Sequence, residues 1–414
     1  MTKKFSEVEK DFIEKTQEAM TNATLGGDPE FFISDNRGRV QGADSFLPGK
    51  YEPLVVDPVA GDVKSKLFFD GIQAEISFAH GTCREYIAKN IQLCLLKAND
   101  RIPKDHKFVI KPSTRVAKEV LENADPEARI FGCAPDFNAY TCSVNTPEMD
   151  ASRHPYRYAG GHMHFGISSK YLDESDAEFL AARTEKGHLK TIKFLDLILG
   201  VTTLGLDNGP GSKRRREKYG KAGCFRPTPY GVEYRTPSCW WLSSPATVSL
   251  AFGIGRLAWH LLAKGLDERF LKLINYDEET VRGIVDEGDV KEAYKLWETM
   301  RPYIAQTSKR VTNPLHVCTM AYEPGFKDRA PRVIEDVKPE YVDTMVFGLP
   351  AFEYVLKNGI SSIIDKDMRK EWRLSGNAPY PERAGFNMSA RNSLLKNEDF
   401  FKFQKDFFKN KVMK

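Results

Sequence analysis

Four short segments of this chain set carboxylates, histidines or arginines two residues apart in otherwise apolar, strand-like surroundings. Residues i and i+2 of a β-strand project from the same face. Asp28 and Glu30 in Gly27-Asp28-Pro29-Glu30-Phe31 therefore point together, and Pro29 places that pair at a strand entrance or edge. Gln73 and Glu75 share a face in the second segment, with Asp70 at the turn before them. His162 and His164 do so in Gly160-Gly161-His162-Met163-His164-Phe165-Gly166, and Glu233 and Arg235 do so in Gly231-Val232-Glu233-Tyr234-Arg235. Carboxylates that converge in one cavity repel each other unless hard cations neutralise them. An oxygen-rich ligand set with an imidazole suits magnesium or manganese better than zinc. Such ions bridge nucleotide phosphates and stabilise the charge that moves in phosphoryl transfer. Arginines supply planar forks for phosphate and carboxylate oxygens. The stretch from Lys213 to Arg226 holds Arg214, Arg215, Arg216 and Arg226, with glycines that permit close approach.

The elements that must carry these residues can be read from hydrophobic spacing. Phe5, Val8, Phe12 and Ile13 recur at helical intervals near the start. Gly26-Gly27 reads as a break, followed by a short buried strand at Phe31-Phe32-Ile33 and a turn over residues 35–38. Residues 44–64 read as loop. Strands are expected at Leu67–Phe69 and Ala74–Phe78, and again at Phe108–Pro112, Ile130–Ala134 and over 160–168. Thr82 with Glu85 forms a capping box for a helix ending near Ala98. One helix is expected from Ser175 to Leu199, with Phe179, Ile192, Leu195 and Leu199 on its apolar stripe and its Glu and Lys side chains solvated. Taken alone, the basic run 213–216 reads as a solvated loop. Trp240 and Trp241 read as core or pocket wall. From Ser244 onward the pattern is mainly helical, with a strongly apolar stretch at Leu250–Leu262 and a charged amphipathic one at 289–310. The expected class is α+β with a mainly helical C-terminal part. Its expected parts are an N-terminal helical segment (1–24), a catalytic core (25–245) and a helical region packed on that core (246–414).

Composition narrows the function. With 41% hydrophobic and 29% charged residues, the chain is ordinary for a globular protein and too apolar for disorder. A net charge of +4 leaves room for anionic substrates such as nucleotides without arguing for nucleic acid. No apolar run approaches the ~20 residues a membrane span needs, and the first residues lack the apolar stretch of a signal peptide, so a cytoplasmic protein is expected. The seven cysteines contain no Cys-x-x-Cys pair, which argues against a zinc cage or redox dithiol. Cys94 and Cys318 sit in apolar settings and read as reduced core thiols.

The four segments, with Tyr219-Gly220-Lys221-Ala222-Gly223-Cys224-Phe225-Arg226 leading into the last, resemble in type and order the phage-encoded carboxylate–amine ligase-like proteins. That family is similar in fold to glutamine synthetase and glutamate–cysteine ligase, and the resemblance covers about residues 24–245. It implies a curved, mostly antiparallel catalytic sheet flanked by helices. It also implies an ATP-dependent amidoligase with two or more Mg2+ or Mn2+ ions, which joins a carboxylate to an amine through an acyl phosphate. On the matching positions, Asp28, Glu30, Glu75, His162 and Glu233 would hold the metals. Arg216 and Arg226 would face the transferring phosphoryl group, and Arg235 would grip substrate or phosphate. Asp70, His164 and Arg215 would contact substrate or nucleotide. Too few residues precede Asp28 for the small N-terminal domain of glutamine synthetase, which argues against an active site shared between subunits. Three other functions fit the same residues. They are phosphoryl transfer by a guanidino-kinase-like enzyme on this type of sheet, metal-dependent hydrolysis through His162 and His164, and nucleic-acid binding through the basic run.

Overall fold

The computed structural model describes residues 6–15, 23–59, 61–81, 84–130, 136–145, 154–167, 173–311 and 368–374. Its strands are β1 (Ala23–Ser34), β2 (Val40–Gln41), β3 (Leu54–Val56), β4 (Ser65–Asp70), β5 (Gln73–Gly81), β6 (Lys107–Val109), β7 (Ser113–Arg115), β8 (Asp136–Asn138), β9 (Ser143–Asn145), β10 (Tyr156–Tyr158), β11 (Gly161–Ile167), β12 (Cys224–Thr228) and β13 (Gly231–Tyr234). Its helices are α1 (Glu7–Lys15), α2 (Arg84–Asn99), α3 (Lys118–Asn123), α4 (Ala177–Arg183), α5 (Glu185–Leu195), α6 (Pro210–Lys218), α7 (Pro245–Ala263), α8 (Asp267–Ile274), α9 (Glu278–Glu287) and α10 (Val290–Val311), with a further turn of helix at Met368–Glu371. Among the described residues no helix is long and apolar enough to cross a membrane.

One sheet dominates, in the order β3-β4-β5-β1-β11-β13-β12-β8-β9, with β2 and β6 pairing the far end of β1. All its strand pairings are antiparallel, as are those of the small β10-β7 pair. The fold is thus α+β around a large antiparallel sheet, as expected. Strand β1 is longer and more central than the sequence suggests. It runs through Gly26-Gly27 without a break, taking up the irregularity as a register shift against β5 between Leu25 and Gly27. Gly27 is needed there, because a Cβ would strike the His162 carbonyl and crowd the Phe78 ring. Pro29 lies not at an edge but in the middle of the sheet, opposite Gly161. Its missing N–H costs a ladder bond, while the next residue bonds firmly, Glu30 N–H donating to the Gly160 carbonyl at 2.9 Å.

Alternation along the strands separates two faces. Phe31, Ala74, Ile76, Met163, Phe165, Val232 and Tyr234 are fully buried on one of them, against which α2, α4, α5 and α7 pack. Each large side chain buried this way contributes about 2 kcal/mol. Helix α7 is apolar around most of its circumference, with Phe252, Leu257 and Trp259 at 0% exposure. Its start is set by Pro245 in the first turn and by a reciprocal Ser244–Thr247 capping box. Trp241 lies in this core and donates its Nε1–H to the Gly161 carbonyl at 3.0 Å.

The single helix expected over 175–199 is instead two. Thr184 leaves helical geometry (φ −110°, ψ 147°), ending α4, and its hydroxyl accepts the Gly187 N–H at 3.0 Å to start α5. The chain then winds into a π-helix over Asp196–Val201. Glu178 of that region is not solvated: it is 5% exposed and accepts the Trp259 Nε1–H at 2.9 Å. The basic run is likewise not a loop but part of α6, with Arg215 and Arg216 buried. Cys94, Cys142, Cys224 and Cys239 are free thiols, and burial pushes Cys94 up to about 12. The expected strand at Ile130–Ala134 lies outside the described residues except for Ile130. Thr82 and Cys318 lie outside them too.

Candidate functional site

The polar face of the sheet collects the residues singled out by spacing. Cross-strand register explains how, because directly opposed residues share a face. Asp28 pairs with His162 and Glu30 with Glu75. Further across the sheet, His164 pairs with Glu233, and Glu233 with Arg226. Asp70 closes the β4-β5 turn opposite Gln73, where Gly71 supplies the required positive φ of 63°. Two groups result. Ligand atoms of Asp28, His164 and Glu233 all lie within 4.8 Å of one another, and so do those of Glu30, Asp70 and Glu75. His162 belongs beside the first group, its Nδ1 being 3.2 Å from Asp28 Oδ1 and 3.6 Å from Glu233 Oε1. Close approach is bought by glycine: a Cβ on Gly160 would collide with His162 Nε2 and the Tyr219 hydroxyl. The Gly160 N–H donates to Glu30 Oε2 at 2.7 Å.

Electrostatics across this face depend on the partners of each acid. Burial alone would raise Asp28, but His164 and His162 outweigh it and hold the carboxyl well below the usual carboxylate range. Burial pushes Glu30 up to about 7; the Gly160 N–H works against the rise, and Asp70 and Asp28 add to it. Burial first, then Asp28, Glu30 and Asp70, drive Glu75 far above its ordinary value. Burial and the neighbouring Arg235 push His162 down to about 4, so it is a neutral imidazole with a lone pair to give. Burial would lower His164 too, yet Asp28 brings it above its ordinary value. Three clustered acids with Lys50 as a distant partner (3.6 Å from Asp70) hold their protons because of one another, and a cation can take the place of those protons. The residues present fit divalent cations on a second count. Asp28 Oδ1 and His164 Nε2 are buried 3.3 Å apart, and neither meets hydrogen-bond geometry with any described partner. A carboxylate oxygen and an imidazole nitrogen left facing each other in this way are a natural ligand pair.

The arginines divide into two sets. Arg235 is 2% exposed and reaches Glu233 Oε1, Asp136 Oδ2 (3.2 Å) and His162 Nδ1 (3.4 Å). Arg226 approaches Glu233 Oε1 at 3.5 Å and keeps 28% of its side chain exposed. Arg215 and Arg216 are turned elsewhere. The Arg215 guanidinium donates to the Thr236 and Arg235 carbonyls (2.7 and 3.0 Å) and stacks on Tyr219 at 4.3 Å. Arg216 donates to the Asp207 carbonyl (3.1 Å) and Asn208 Oδ1 (3.3 Å). The structure therefore does not bring Arg216 to the carboxylates, and Arg215 braces the backbone that carries Arg235. Asp136, Tyr219, Tyr230 and Lys50 are additions. Asp136 had a legible signal, since Asp136-Phe137-Asn138 repeats the same two-residue alternation. The others have no spacing that marks them.

Comparison with known proteins gives a match over part of the chain. Residues 185–313 match the model of the family described as Phage phiEco32-like COOH.NH2 ligase-type 2. The resemblance drawn from the motifs thus points to the same carboxylate–amine ligases as this match. No curated protein matches the chain. Among solved structures, a bifunctional glutathione synthetase from Pasteurella multocida aligns at 11% identity and a TM-score of 0.33, over 86% of this chain and 58% of that one. The chain thus spans little more than half the length of that protein, and a likeness so low fixes neither fold nor activity.

Proposed function

We propose that this chain is an ATP- and divalent-metal-dependent carboxylate–amine ligase on a glutamine-synthetase-like sheet, with residues 25–245 as its catalytic core. The observation that carries the reading is the convergence, on one face of the sheet, of two acidic groups flanked by Arg226 and Arg235. The family match over 185–313 supports it. In this reading Asp28, His164 and Glu233, with His162 alongside, hold one cation, and Glu30, Asp70 and Glu75 hold another. Bound Mg2+ or Mn2+ would neutralise the nucleotide phosphates and the charge developing in transfer.

The chain's own residues then have separable tasks. Arg226, part-exposed at the rim, offers its planar fork to the γ-phosphoryl group as that group passes from ADP to a carboxylate oxygen of the substrate. Arg235, fixed between Glu233 and Asp136, keeps those carboxylates in place and presents positive charge beside them. The amine nitrogen then bonds to the acyl carbon as the C–O bond to phosphate breaks, and the ammonium gives up a proton. The test is ADP and phosphate release measured with Mg2+ against panels of carboxylates and amines. Turnover must require both substrates and yield an amide. A stable phosphorylated guanidine, or hydrolysis without ATP, would defeat the proposal. ATP with Mg2+ at a hundred times its dissociation constant should add about 2.7 kcal/mol of stability.

A further inference from the structure

Tyr230 sits in the turn between β12 and β13, and its hydroxyl lies 2.8 Å from His164 Nδ1. The two rings lie nearly parallel, 28° apart with centroids at 6.0 Å. This placement is fastened from several sides. The Tyr230 carbonyl accepts the Ile167 N–H at 3.0 Å. Arg183 bridges the hairpin to β11, donating to the Pro229 carbonyl and to the Ile167 carbonyl at 3.1 Å. Gly166 permits the approach, because a Cβ there would strike the Tyr230 carbonyl. The phenol is thus carried to the imidazole by a clamped turn. On the other side of the same ring, Nε2 faces Asp28 Oδ1 at 3.3 Å, buried and without a hydrogen-bond partner among the described residues.

Which nitrogen of an imidazole is free to bind a cation is set by the bond the other one makes. A phenol can accept as well as donate, so its oxygen can accept a hydrogen bond from the Nδ1–H, which keeps the proton on Nδ1 and leaves the Nε2 lone pair free. We infer that Tyr230 is a positioning residue that orients His164 and holds it with Nε2 turned, together with Asp28 and Glu233, toward a divalent cation. The inference rests on the cation site proposed above and extends it to a hairpin turn that no acidic motif marks.

Tyr230→Phe removes the hydroxyl and keeps the ring that stacks on His164. Mn2+ titration by calorimetry should show the site that Asp28→Asn abolishes weakened about 10- to 100-fold in Tyr230→Phe. The second site should keep its affinity within about twofold, and the thermal midpoint in EDTA should fall by no more than about 3 °C. The 15N signals of His164 in the cation-bound protein should change as well, with the Nδ1-protonated pattern of the parent giving way to a mixture. Parent-like Mn2+ affinity and an unchanged His164 pattern in Tyr230→Phe would overturn this inference and leave the cation site standing. If the unsubstituted protein bound no Mn2+, the cation site itself would fall, and this inference with it.

Discussion

Replacing Glu30 with glutamine should make the cation-free protein more stable at pH 8 while weakening its response to Mg2+. Glu30 is 7% exposed and its carboxyl is pushed from 4.5 up to about 7, by burial first and by Asp70 and Asp28 in addition. The folded state therefore holds this proton more tightly than the unfolded chain does. The stability it contributes is complete below about pH 4.5 and is lost as pH rises through about 7. At about 1.4 kcal/mol per pH unit, the loss attributable to Glu30 is on the order of 3 kcal/mol by pH 8. Glutamine keeps a carbonyl oxygen for the Gly160 N–H and carries no charge to repel Glu75 or Asp70. Urea unfolding in EDTA between pH 5.5 and 8.5 would read this directly. Across that range the parent should lose on the order of 2 kcal/mol more than the variant, because Glu75 and Asp196 titrate in both. Millimolar Mg2+ at pH 8 should restore the parent and stabilise the variant by less, through the Asp28, His164 and Glu233 group alone. A variant less stable than the parent in EDTA at pH 8, or one with the same pH slope, would refute the argument that these acids are held together at a cost which cations relieve.

The arginines provide the remaining tests. Arg226→Lys keeps the charge and loses the fork, so kcat should fall about 100-fold with little change in KM. Arg214→Lys, at a half-buried position stacked on Tyr156, should stay within about threefold of the parent. Arg216→Ala removes donors to the Asp207 carbonyl and Asn208 and should cost about 1–3 kcal/mol of unfolding free energy. Mn2+ affinity should be preserved in that variant; a fall of about 100-fold in kcat at intact stability would return Arg216 to the transferring phosphoryl group.

Much of the site was legible because strand geometry ties spacing to direction. Asp28 with Glu30, His162 with His164, and Glu233 with Arg235 are each two apart, and the structure turns each pair onto one face. Helix α7 was legible for a similar reason, since an apolar run of that length preceded by Ser-Pro has few alternatives. What spacing cannot supply is the environment that overrides a local rule. Proline is a poor central-strand residue in isolation, yet Pro29 is tolerated because it faces Gly161 and Glu30 re-anchors the strand one residue later. Thr184 looks like an ordinary interior helix residue, and only its hydroxyl's bond to the Gly187 N–H shows that it begins a helix. The arginine run misleads most. Four consecutive basic residues announce charge, but α6 rotates successive side chains by about 100°, exposing Lys213 while burying Arg215 and Arg216 against backbone carbonyls.

The site is assembled from two parts of the chain that are far apart in sequence, and the β11-β13 and β12-β8 pairings join them. Asp28, Glu30, Asp70, Glu75, His162 and His164 all precede the span that matches the ligase family, whereas Arg226, Glu233 and Arg235 lie within it. The β11-β13 register, His164 opposite Glu233, is where the parts meet within the Asp28, His164 and Glu233 group. The later part carries its own rear support. Asp196, in the π-helix, accepts from the Gly223 N–H (2.6 Å), the Tyr234 hydroxyl (2.7 Å) and the Thr236 hydroxyl (3.1 Å). Its carboxyl is pushed up to about 7 by burial despite those three donors. Tyr234 and Thr236 flank Arg235 in sequence, so the carboxylate grips β13 from the core side while Glu233 and Arg235 project from the other. Arg215 adds a second hold on the carbonyls of Arg235 and Thr236. A strand held this firmly at its C-terminal end can keep two opposite charges in contact on its front face. That contact leaves Glu233 neutralised on one side by Arg235 and open on the other toward Asp28 and His164, the direction from which a cation would complete the set.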